Sequence, residues 1–516
     1  MLKDGLNKTN IIVACFLFVT IIYELLFDEL FQLSNIIITK EIKFTKLIVL
    51  LIPLSQMLIL VLIITKKKVL FLILGIGFVL PFIVSKSKSL IINIQFKKRY
   101  SSYTKGVIGY VDKNELIDIN NADSNNVYKA IQRAADYLIN SIQDNGQFLY
   151  KRNLNPAYDK TKNEYNILRH AGAIYSVVPY MIENNRLENA EKIYEAGLWL
   201  KTQLIYIEGS NRVKAIWSPV ENEDTEFSQA KLGGSALCLI ALMEIEKLYP
   251  GFTDDSTFNA LGNFITFMQK ENGDFYSRYN SGYGGKLEFN KSLFYPGQAI
   301  LSLIYLYEYS KKNIWIEKAV NGLNYLIDQR KFKNNLQLDH WSLIATNRIL
   351  PYLSLRGINL NYHELLEHSK KICQSFIQYY KELEFSSNNY GCLSNDGSTC
   401  YTASTVEGLT TALQFIPDTE VHLKKEINVL VRQGIIFLLR AQIKGQKFLG
   451  AMPYKIMPWT YNYGEEIEKL GEIRIDYVQH SLSALRNYYK LNLDIKKNNE
   501  LSTQNSIEQE IKIFHE

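Results

Sequence analysis

Polar side chains of the kinds that transfer protons recur six times in this sequence, each time where an apolar helical pattern begins. The six groups are Tyr165, Asn166, Arg169 and His170; Gln229 and Lys231; Tyr295 and Gln298; Asp339, His340 and Trp341; Thr402, Thr405 and Glu407; and Arg474, Asp476, Tyr477, Gln479 and His480. Imidazole, phenol and carboxyl groups act as acids and bases, and guanidinium groups bind carboxylates. The groups therefore predict proton chemistry if the fold brings them together.

Most of these residues, taken singly, also have a structural explanation. Asp339 and Thr402 are typical helix N-caps, and Glu407 could close a capping box. A single histidine on an apolar helix is more often a core residue than a ligand. Packing alone does not require the same bulky polar groups at six helix starts, so the recurrence favours a shared cavity. In the first group we expect Arg169 and His170 to contact a ligand.

The expected cavity would attract anions and sugar rings. Six helix N-termini would direct partial positive charge into it. The full charges near it are those of Arg169, Lys231 and Arg474 against Asp339, Glu407 and Asp476. Aromatic walls suit the apolar faces of sugar rings, and amide and imidazole groups hydrogen-bond hydroxyls. We predict an anionic polysaccharide or glycan as the ligand, with no cofactor and no metal site.

The elements that must position these residues are helices. Twelve helical patterns occur near 126–143, 165–183, 187–203, 228–248, 256–270, 292–310, 313–329, 339–354, 362–381, 401–416, 422–441 and 474–491. The odd ones are amphipathic, which is typical of one solvated face, and the even ones are apolar nearly all round and therefore buried. Small residues such as Gly172, Gly233, Gly297 and Gly408 would let the even helices pack closely.

These patterns predict an all-α fold, an (α/α)6 toroid with six inner and six outer helices. All six polar groups would lie at one end of the ring. The loops that enter the even helices, such as "DNGQFLYKRN" and "ENGDFYSRYN", are Gly-centred, aromatic and polar. They indicate that this end is elaborated and functional.

The N-terminus has a different character. Three nearly charge-free stretches lie at 9–27, 47–65 and 69–85, and each could cross a hydrocarbon core of roughly 30 Å as a helix. The triplet Lys66–Lys68 prefers the cytoplasm, which favours an exported C-terminal domain, whereas lysines near 40–46 and after the third span oppose this orientation. We predict a multi-pass membrane protein with an extracytoplasmic toroid.

The predicted domains are a membrane domain of three transmembrane helices at 1–88, a linker at 89–124, the toroid at 125–492 and a polar tail at 493–516. The membrane domain would contact the lipid bilayer. Three spans exceed what anchoring requires, so a partner in a polysaccharide synthesis or export complex is a further hypothesis.

Charge and cysteine content narrow the function classes. The net charge of +6 is spread over 58 Lys and Arg residues without a dense basic stripe, which argues against a nucleic-acid partner. Cys238 and Cys373 lie in apolar patterns and are expected in the core. Cys392 and Cys400 flank a Gly/Asn/Asp/Ser turn, which is a feasible disulfide loop in an oxidising compartment.

Three segments resemble the C-terminal domain family of D-glucuronyl C5-epimerases. "RIDYVQHSLSALRNYY" (474–489) is similar to its closing motif, "GAMPYKI" (450–456) to its Gly-x-x-Tyr stretch, and "LFYPGQAILSLIYLYEYSKK" (293–312) to its Tyr-Pro-x-Gln helix. The better matches cover residues 290–490. The resemblance implies an (α/α) barrel and a reaction at C5 of a uronic acid unit within a polysaccharide.

The resemblance also implies roles for individual residues. Tyr454 and Tyr477 would be the acid and base, and Arg474 would lie near the substrate carboxylate. A fixed cation there would stabilise the charge that builds up when the C5 proton leaves. Because free tyrosine has a pKa near 10, Lys455 or His480 would have to lower it. Lys455 stands where the family has an acidic residue.

The same toroid hosts other activities, so the fold does not decide the reaction. A glycoside hydrolase needs two carboxylates about 5–10 Å apart, and Asp339, Glu407 and Asp476 are the candidates. A polysaccharide lyase would combine a base such as His480 with a cation-neutralised uronate. A non-catalytic glycan-binding or assembly subunit is the third alternative.

Overall fold

The computed structural model describes residues 123–154, 159, 165–218, 228–289, 291–383, 391–444, 446–455, 469 and 471–493. The three predicted membrane spans, the linker up to residue 122 and the tail beyond residue 493 lie outside these ranges. The membrane domain therefore stays a prediction from the sequence. Among the described helices, none is both long and apolar enough to cross a bilayer.

Twelve α-helices occur in the described ranges, at the positions that the periodicity predicts. They are α1 (Ser124–Asn140), α2 (Ile167–Glu183), α3 (Ala190–Thr202), α4 (Leu232–Leu248), α5 (Asp255–Phe267), α6 (Tyr295–Ser310), α7 (Asn313–Arg330), α8 (His340–Ile349), α9 (Tyr362–Lys381), α10 (Thr399–Ala412), α11 (Val421–Ala441) and α12 (475–493). The odd helix α1 buries one stripe that includes Val127, Ile131, Ala134 and Leu138. The even helix α4 buries fourteen consecutive residues. The predicted division into outer and inner helices is confirmed.

Neighbouring inner helices approach closely at glycines. A Cβ atom on Gly297 in α6 would lie 2.8 Å from the Cβ of Trp341 and 2.9 Å from the backbone nitrogen of Ser342, both in α8. The equivalent contacts join Gly233 to Gln298, Gly408 to His340 and Gly172 to Gln479. The last of these joins α2 to α12, so the inner ring is closed. The predicted role of these small residues is confirmed.

Seven short strands correct the expectation of a purely α-helical fold. They are β1 (Lys151–Asn153), β2 (Leu204–Tyr206), β3 (Lys214–Ser218), β4 (Gln229–Lys231), β5 (Arg278–Asn280), β6 (Gly285–Leu287) and β7 (Glu472–Arg474). Strands β2 to β6 form one antiparallel sheet in sequence order, and β1 pairs with β7. Strands of three to five residues are too short to show a clear alternation. All seven precede an inner helix, so they lie at the end where the inner helices begin.

Glycine turns connect the outer helices. After α1, α5, α9 and α11, a glycine with a positive φ packs against a backbone carbonyl of the next outer helix. The four contacts are Gly146 on Glu195, Gly273 on Asn321, Gly391 on Gln433 and Gly450 on Arg133. A side chain at any of them would overlap the carbonyl oxygen. Because Gly450 follows α11 and Arg133 lies in α1, the outer ring closes as well.

We expect Gly297→Ala to lower the free energy of unfolding by about 1–3 kcal/mol, because the new methyl group would meet the α8 backbone. Gly234→Ala is the matched control. Its Cβ would lie 3.5 Å from Ile216, an ordinary contact, and alanine favours a helix by about 1 kcal/mol over glycine. Urea unfolding followed by circular dichroism measures both. Equal stability of the two variants would show that the close approach of α6 and α8 is not a constraint.

A second prediction concerns Asp159, which fixes β1. Its carboxylate accepts hydrogen bonds from Nε and Nη2 of Arg152 at 2.9 and 2.8 Å and from the Asn153 amide at 2.9 Å. The Arg152 hydrogen bond is the largest effect on the Asp159 pKa, burial opposes it, and the net result is a pKa of about 2 against an ordinary 3.8. The carboxylate therefore stabilises the fold above pH ~4, and this contribution is lost as the pH falls toward 2.

Accordingly, Asp159→Asn should remove about 1 kcal/mol of stability at neutral pH, after allowance for solvent screening. The difference from the wild type should shrink between pH 4 and pH 2. Unfolding curves across that range test the linkage. A difference that stays constant with pH would contradict it.

Candidate active site

Two arginines from opposite ends of the chain share one carboxylate where α2 and α12 begin. Arg169 Nε lies 3.0 Å from Asp476 Oδ2. Arg474 donates to both oxygens of Asp476, from Nε and Nη2, at 3.0 Å each. The side chains of Arg169 and Arg474 are 27% and 23% exposed. Both side chains are therefore partly exposed, and the first and last polar groups meet at this point.

The charges of this cluster do not cancel. Burial raises the pKa of Asp476, but Arg169 and Arg474 lower it by more, so the pKa lies below its usual range and the group is ionised at neutral pH. The neighbouring Glu472 pairs with Lys151 at 2.8 Å and with Arg474 Nη1 at 3.3 Å. Within this cluster three cations face two carboxylates, and a third carboxylate of the site, Glu407, is paired with His480.

A second polar pair joins α10 and α12. His480 Nδ1 lies 2.9 Å from Glu407 Oε2. Glu407 is 2% exposed, whereas the His480 side chain is 14% exposed. Because a carboxylate only accepts, His480 donates from Nδ1, and the neutral ring keeps its lone pair on Nε2. When its ring is protonated, His480 is near enough to Asp476 to lower the pKa of that carboxyl. The pair therefore resembles a general base held by a carboxylate.

His340 and Trp341 flank His480. Their ring centroids lie 5.6 and 6.4 Å from that of His480. Both are buried, at 3% and 2% exposure. Burial, with a smaller contribution from His480, holds the pKa of His340 well below its usual range, so its ring is neutral. Trp341 packs on Gly297 beneath the surface, and its contact with a ligand stays a prediction.

The two tyrosines singled out by the family resemblance lie side by side, with ring centroids 5.9 Å apart. Tyr477 is 2% exposed and donates its hydroxyl to Glu472 at 2.6 Å. Burial raises its pKa far above 10 although Arg474 opposes the shift, and its acid/base role stays a prediction of the family resemblance. Tyr454 is half-buried and donates its hydroxyl to Asp396 at 2.6 Å.

The first polar group divides between the site and the core. Asn166 is the N-cap of α2 and accepts from the Arg169 amide. His170 is fully buried, with Nδ1 2.7 Å from the Tyr165 hydroxyl and Nε2 3.0 Å from the Ala196 carbonyl. Burial lowers the pKa of His170 to about 3. The structure therefore places His170 in the core, with its ring held by Tyr165, and its contact with a ligand stays a prediction.

The structure tests the helix-capping predictions for Asp339, Thr402 and Glu407. Asp339 caps α8, is fully buried and pairs with Arg330 at 2.8 Å. Its N-cap explanation is confirmed, and its catalytic role stays a prediction. Helix α10 is capped by Ser398 rather than Thr402. Glu407 does not close a capping box, because its carboxylate pairs with His480.

The second and third polar groups of the sequence lie at the starts of α4 and α6. Lys231 is the N-cap residue of α4, Tyr295 is the first residue of α6, and both are half-buried. Gln298 is 3% exposed and packs on Gly233, so it belongs to the helix interface. Gln229 accepts from Arg278 at 3.1 Å. The structure leaves the roles of Lys231 and Tyr295 as ligand contacts untested.

Sequence reasoning missed several residues of the site. Glu472 and Lys151 lie on the paired strands β7 and β1, which were not predicted, and Asp396 lies in the turn before α10. Cys392 and Cys400, which flank a feasible disulfide loop, are both free in this structure. Cys400 lies in the first turn of α10, with its sulfur 4.0 Å from an oxygen of Asp476. A carboxylate two residues before an N-cap is a signal that could have indicated Asp396.

No protein-family model matches this chain, and no curated protein matches it in sequence. Among solved structures, a D-mannose isomerase is similar with a TM-score of 0.50 and 10% identity, over 72% of this chain and 98% of that one. An unsaturated glucuronyl hydrolase specific for heparin gives 0.47 and 12%, over 72% and 98%. A sugar epimerase from a ruminal bacterium gives 0.48 and 11%, over 70% and 98%. The first likeness shows the fold, an α/α toroid.

We expect Tyr477→Phe to lower the free energy of unfolding by about 1 kcal/mol, because it removes one buried hydrogen bond to Glu472 while Lys151 and Arg474 still satisfy that carboxylate. Any turnover should persist, since the Tyr477 hydroxyl is not accessible. Denaturant unfolding together with the isotope-exchange assay described below tests both parts. Complete loss of exchange in a stably folded variant would restore the catalytic role that the family resemblance implies.

Proposed function

We propose that this protein is a carbohydrate-active isomerase that moves a proton at C5 of a uronic acid unit within a polysaccharide. One observation carries the proposal. A histidine oriented by a carboxylate, His480 on Glu407, lies near two partly exposed arginines, Arg169 and Arg474. We call this end of the ring, where the inner helices begin, the mouth. The first group can remove a proton, and the second can hold a carboxylate beside the carbon that loses it.

His480 is the base in this scheme. Glu407 holds Nδ1, so Nε2 of the neutral ring takes the C5 proton, and the buried carboxylate stabilises the imidazolium that forms. When that proton leaves, negative charge spreads into the substrate carboxylate. Arg169 and Arg474 would stabilise this charge because they are fixed in place by Asp476 before the substrate arrives.

Epimerisation requires a proton to return to the opposite face of the carbon. Tyr454 is the candidate donor, since it is half-buried beside the arginine cluster and its hydroxyl is hydrogen-bonded to Asp396. The Tyr454 hydroxyl would give its proton to C5 while His480 keeps the one it removed. Exchange of both groups with solvent then restores the enzyme.

The carboxylates of the mouth do not suit glycoside hydrolysis. Asp339 is fully buried on Arg330, Asp476 lies between two arginines, and Glu407 is paired with His480. None of the three carboxylates therefore combines accessibility with freedom from a cationic or imidazole partner, which a pair of hydrolytic carboxylates needs. The D-mannose isomerase with the same fold is a precedent for a sugar isomerase built on such a toroid.

We also infer, from the sequence alone, that residues 1–88 anchor the protein in a membrane with the toroid on the extracytoplasmic side. This location would place the mouth where exported polysaccharide passes. A partner in a polysaccharide synthesis or export complex fits the three apolar spans.

The test is deuterium incorporation. The full chain is incubated with a uronic-acid polymer in D2O, and C5 deuterium is measured by NMR and mass spectrometry. His480→Gln should slow incorporation by roughly 100-fold or more, which is the usual contribution of a general base. His422→Gln is the matched control, since the His422 side chain is 87% exposed on the outer helix α11, and it should behave as the wild type.

Other products would identify other reactions. New reducing ends without C5 deuterium would overturn the proposal in favour of hydrolysis. An unsaturated uronate at a new chain end would indicate a lyase, in which the same base acts but the C4 substituent leaves. Retained binding of the polymer with neither product would favour a non-catalytic glycan-binding subunit.

A further inference from the structure

Three ligand-type side chains from the inner helices α8, α10 and α12 converge: His340 begins α8, Glu407 lies in the middle of α10, and His480 lies in the second turn of α12. His340, Glu407 and His480 each offer one donor atom, and the three atoms lie within 4.8 Å of one another. Each residue comes from a different helix, so no local sequence pattern brings them together. Two of the three are buried, and His480 is partly exposed toward the mouth.

His340 has a nitrogen that the proposed reaction does not use. Its Nε2 is buried and has no hydrogen-bond partner among the described residues. Leaving such a group unpaired costs about 1–3 kcal/mol. The ring has little freedom to turn toward solvent, because it lies between Phe294 and His480, at centroid distances of 5.1 and 5.6 Å, and its Cβ packs on Gly408.

We propose that His340, Glu407 and His480 bind a divalent transition-metal ion of the zinc type. Two imidazoles and one carboxylate form the ligand set of many zinc sites that keep one position open. The fourth position would face the mouth, on the side where His480 is exposed. Around a tetrahedral zinc ion the donor atoms lie about 3.4 Å apart, so closing from 4.8 Å requires side-chain movements of about 1 Å.

The ligand chemistry selects the class of metal. Calcium and magnesium prefer six or more oxygen ligands, and this set provides one carboxylate. Imidazole nitrogen suits zinc, copper, nickel and cobalt. The arginines and the helix N-termini repel a bound cation. The negative charges of Glu407 and of the nearby Asp476 partly offset this repulsion.

Metal binding would regulate the reaction, and this consequence rests on the proposed function. A zinc ion on Glu407 and His480 would occupy the base and its carboxylate partner, so the metal-loaded protein should not exchange the C5 proton. The metal-free protein would be the active form. Zinc would then act as an inhibitor that competes for the catalytic pair rather than as a cofactor.

Binding can be tested without any activity. The full chain is stripped with a chelator and titrated with ZnCl2 by calorimetry, and with Co2+ by visible absorption, which reports tetrahedral coordination. We expect one ion per chain. His340→Ala and Glu407→Gln should each weaken binding by at least about 100-fold, since even outer-shell changes cost 10–100-fold. Glu407→Gln preserves side-chain size, and circular dichroism checks the fold of both variants.

The exposed pair His422 and Glu426, with Nδ1 and Oε2 3.3 Å apart on α11, is the control for casual surface binding. His422→Ala should leave the tight binding unchanged. Zinc affinity that is the same in the wild type and His340→Ala, or that disappears in His422→Ala, would overturn the proposal. A folded chain that binds no zinc would overturn it as well.

Exchange assays separate the two proposals. Zinc should suppress C5 deuterium incorporation in the wild type, and His340→Ala should lose this sensitivity relative to its own metal-free rate. If zinc binds as predicted but no exchange occurs in the metal-free protein, the proposed function fails and the metal site stands. If exchange occurs and zinc does not bind, the metal site fails and the proposed function stands.

Discussion

Closure of the helical ring is the constraint on which the rest of the molecule depends. The first and last helical hairpins meet through contacts between residues more than 300 positions apart in the chain, such as Gln442 Nε2 on the Ala130 carbonyl at 2.8 Å and Arg486 on Glu183 at 2.7 Å. Strands β1 and β7 pair across the same junction. Without it, the buried faces of α2 and α12 would be exposed to water.

The same junction creates the polar character of the mouth. Arg169 belongs to the first inner helix, while Arg474 and Asp476 lie at the start of the last one. Asp476 is buried between the two guanidinium groups, so removing either partner leaves a poorly compensated charge. The glycine contacts then determine how near the other inner helices come, and they bring His340 against α10 and within reach of His480. The contacts that pack the inner helices together therefore also position the polar side chains of the site.

The sequence predicts the elements of this protein better than the roles of individual side chains. Twelve helices, their inner and outer division and the close approach at Gly172, Gly297 and Gly408 follow from periodicity and residue size. These features are repeated along the chain, so each repeat supports the others. The short strands escaped detection because three residues carry too little pattern.

The sequence did not indicate the role of a side chain where that role depends on tertiary burial. His170 and Tyr477 have the right chemistry for a site, but tertiary packing covers them and their polar atoms are paired inside the protein. Asp339 looked equally suitable as an N-cap and as a catalytic carboxylate, and only the partner Arg330, nine residues earlier, distinguishes the two. Arg169 and His480 point to the site because their helices begin there and they retain exposure.

Ring closure also fixes the order in which the molecule can be completed. Glu183 leaves the ribosome about 303 residues before Arg486, an interval on the order of 15–60 s at roughly 5–20 residues per second. During synthesis the apolar face of α2 that later meets α12 has no partner, and it must be protected from other chains. The contacts of Asp476 with Arg169 and of His480 with Glu407 can form only after the last inner helix has been made, so a prematurely terminated chain contains nearly all of the scaffold and lacks the assembled site.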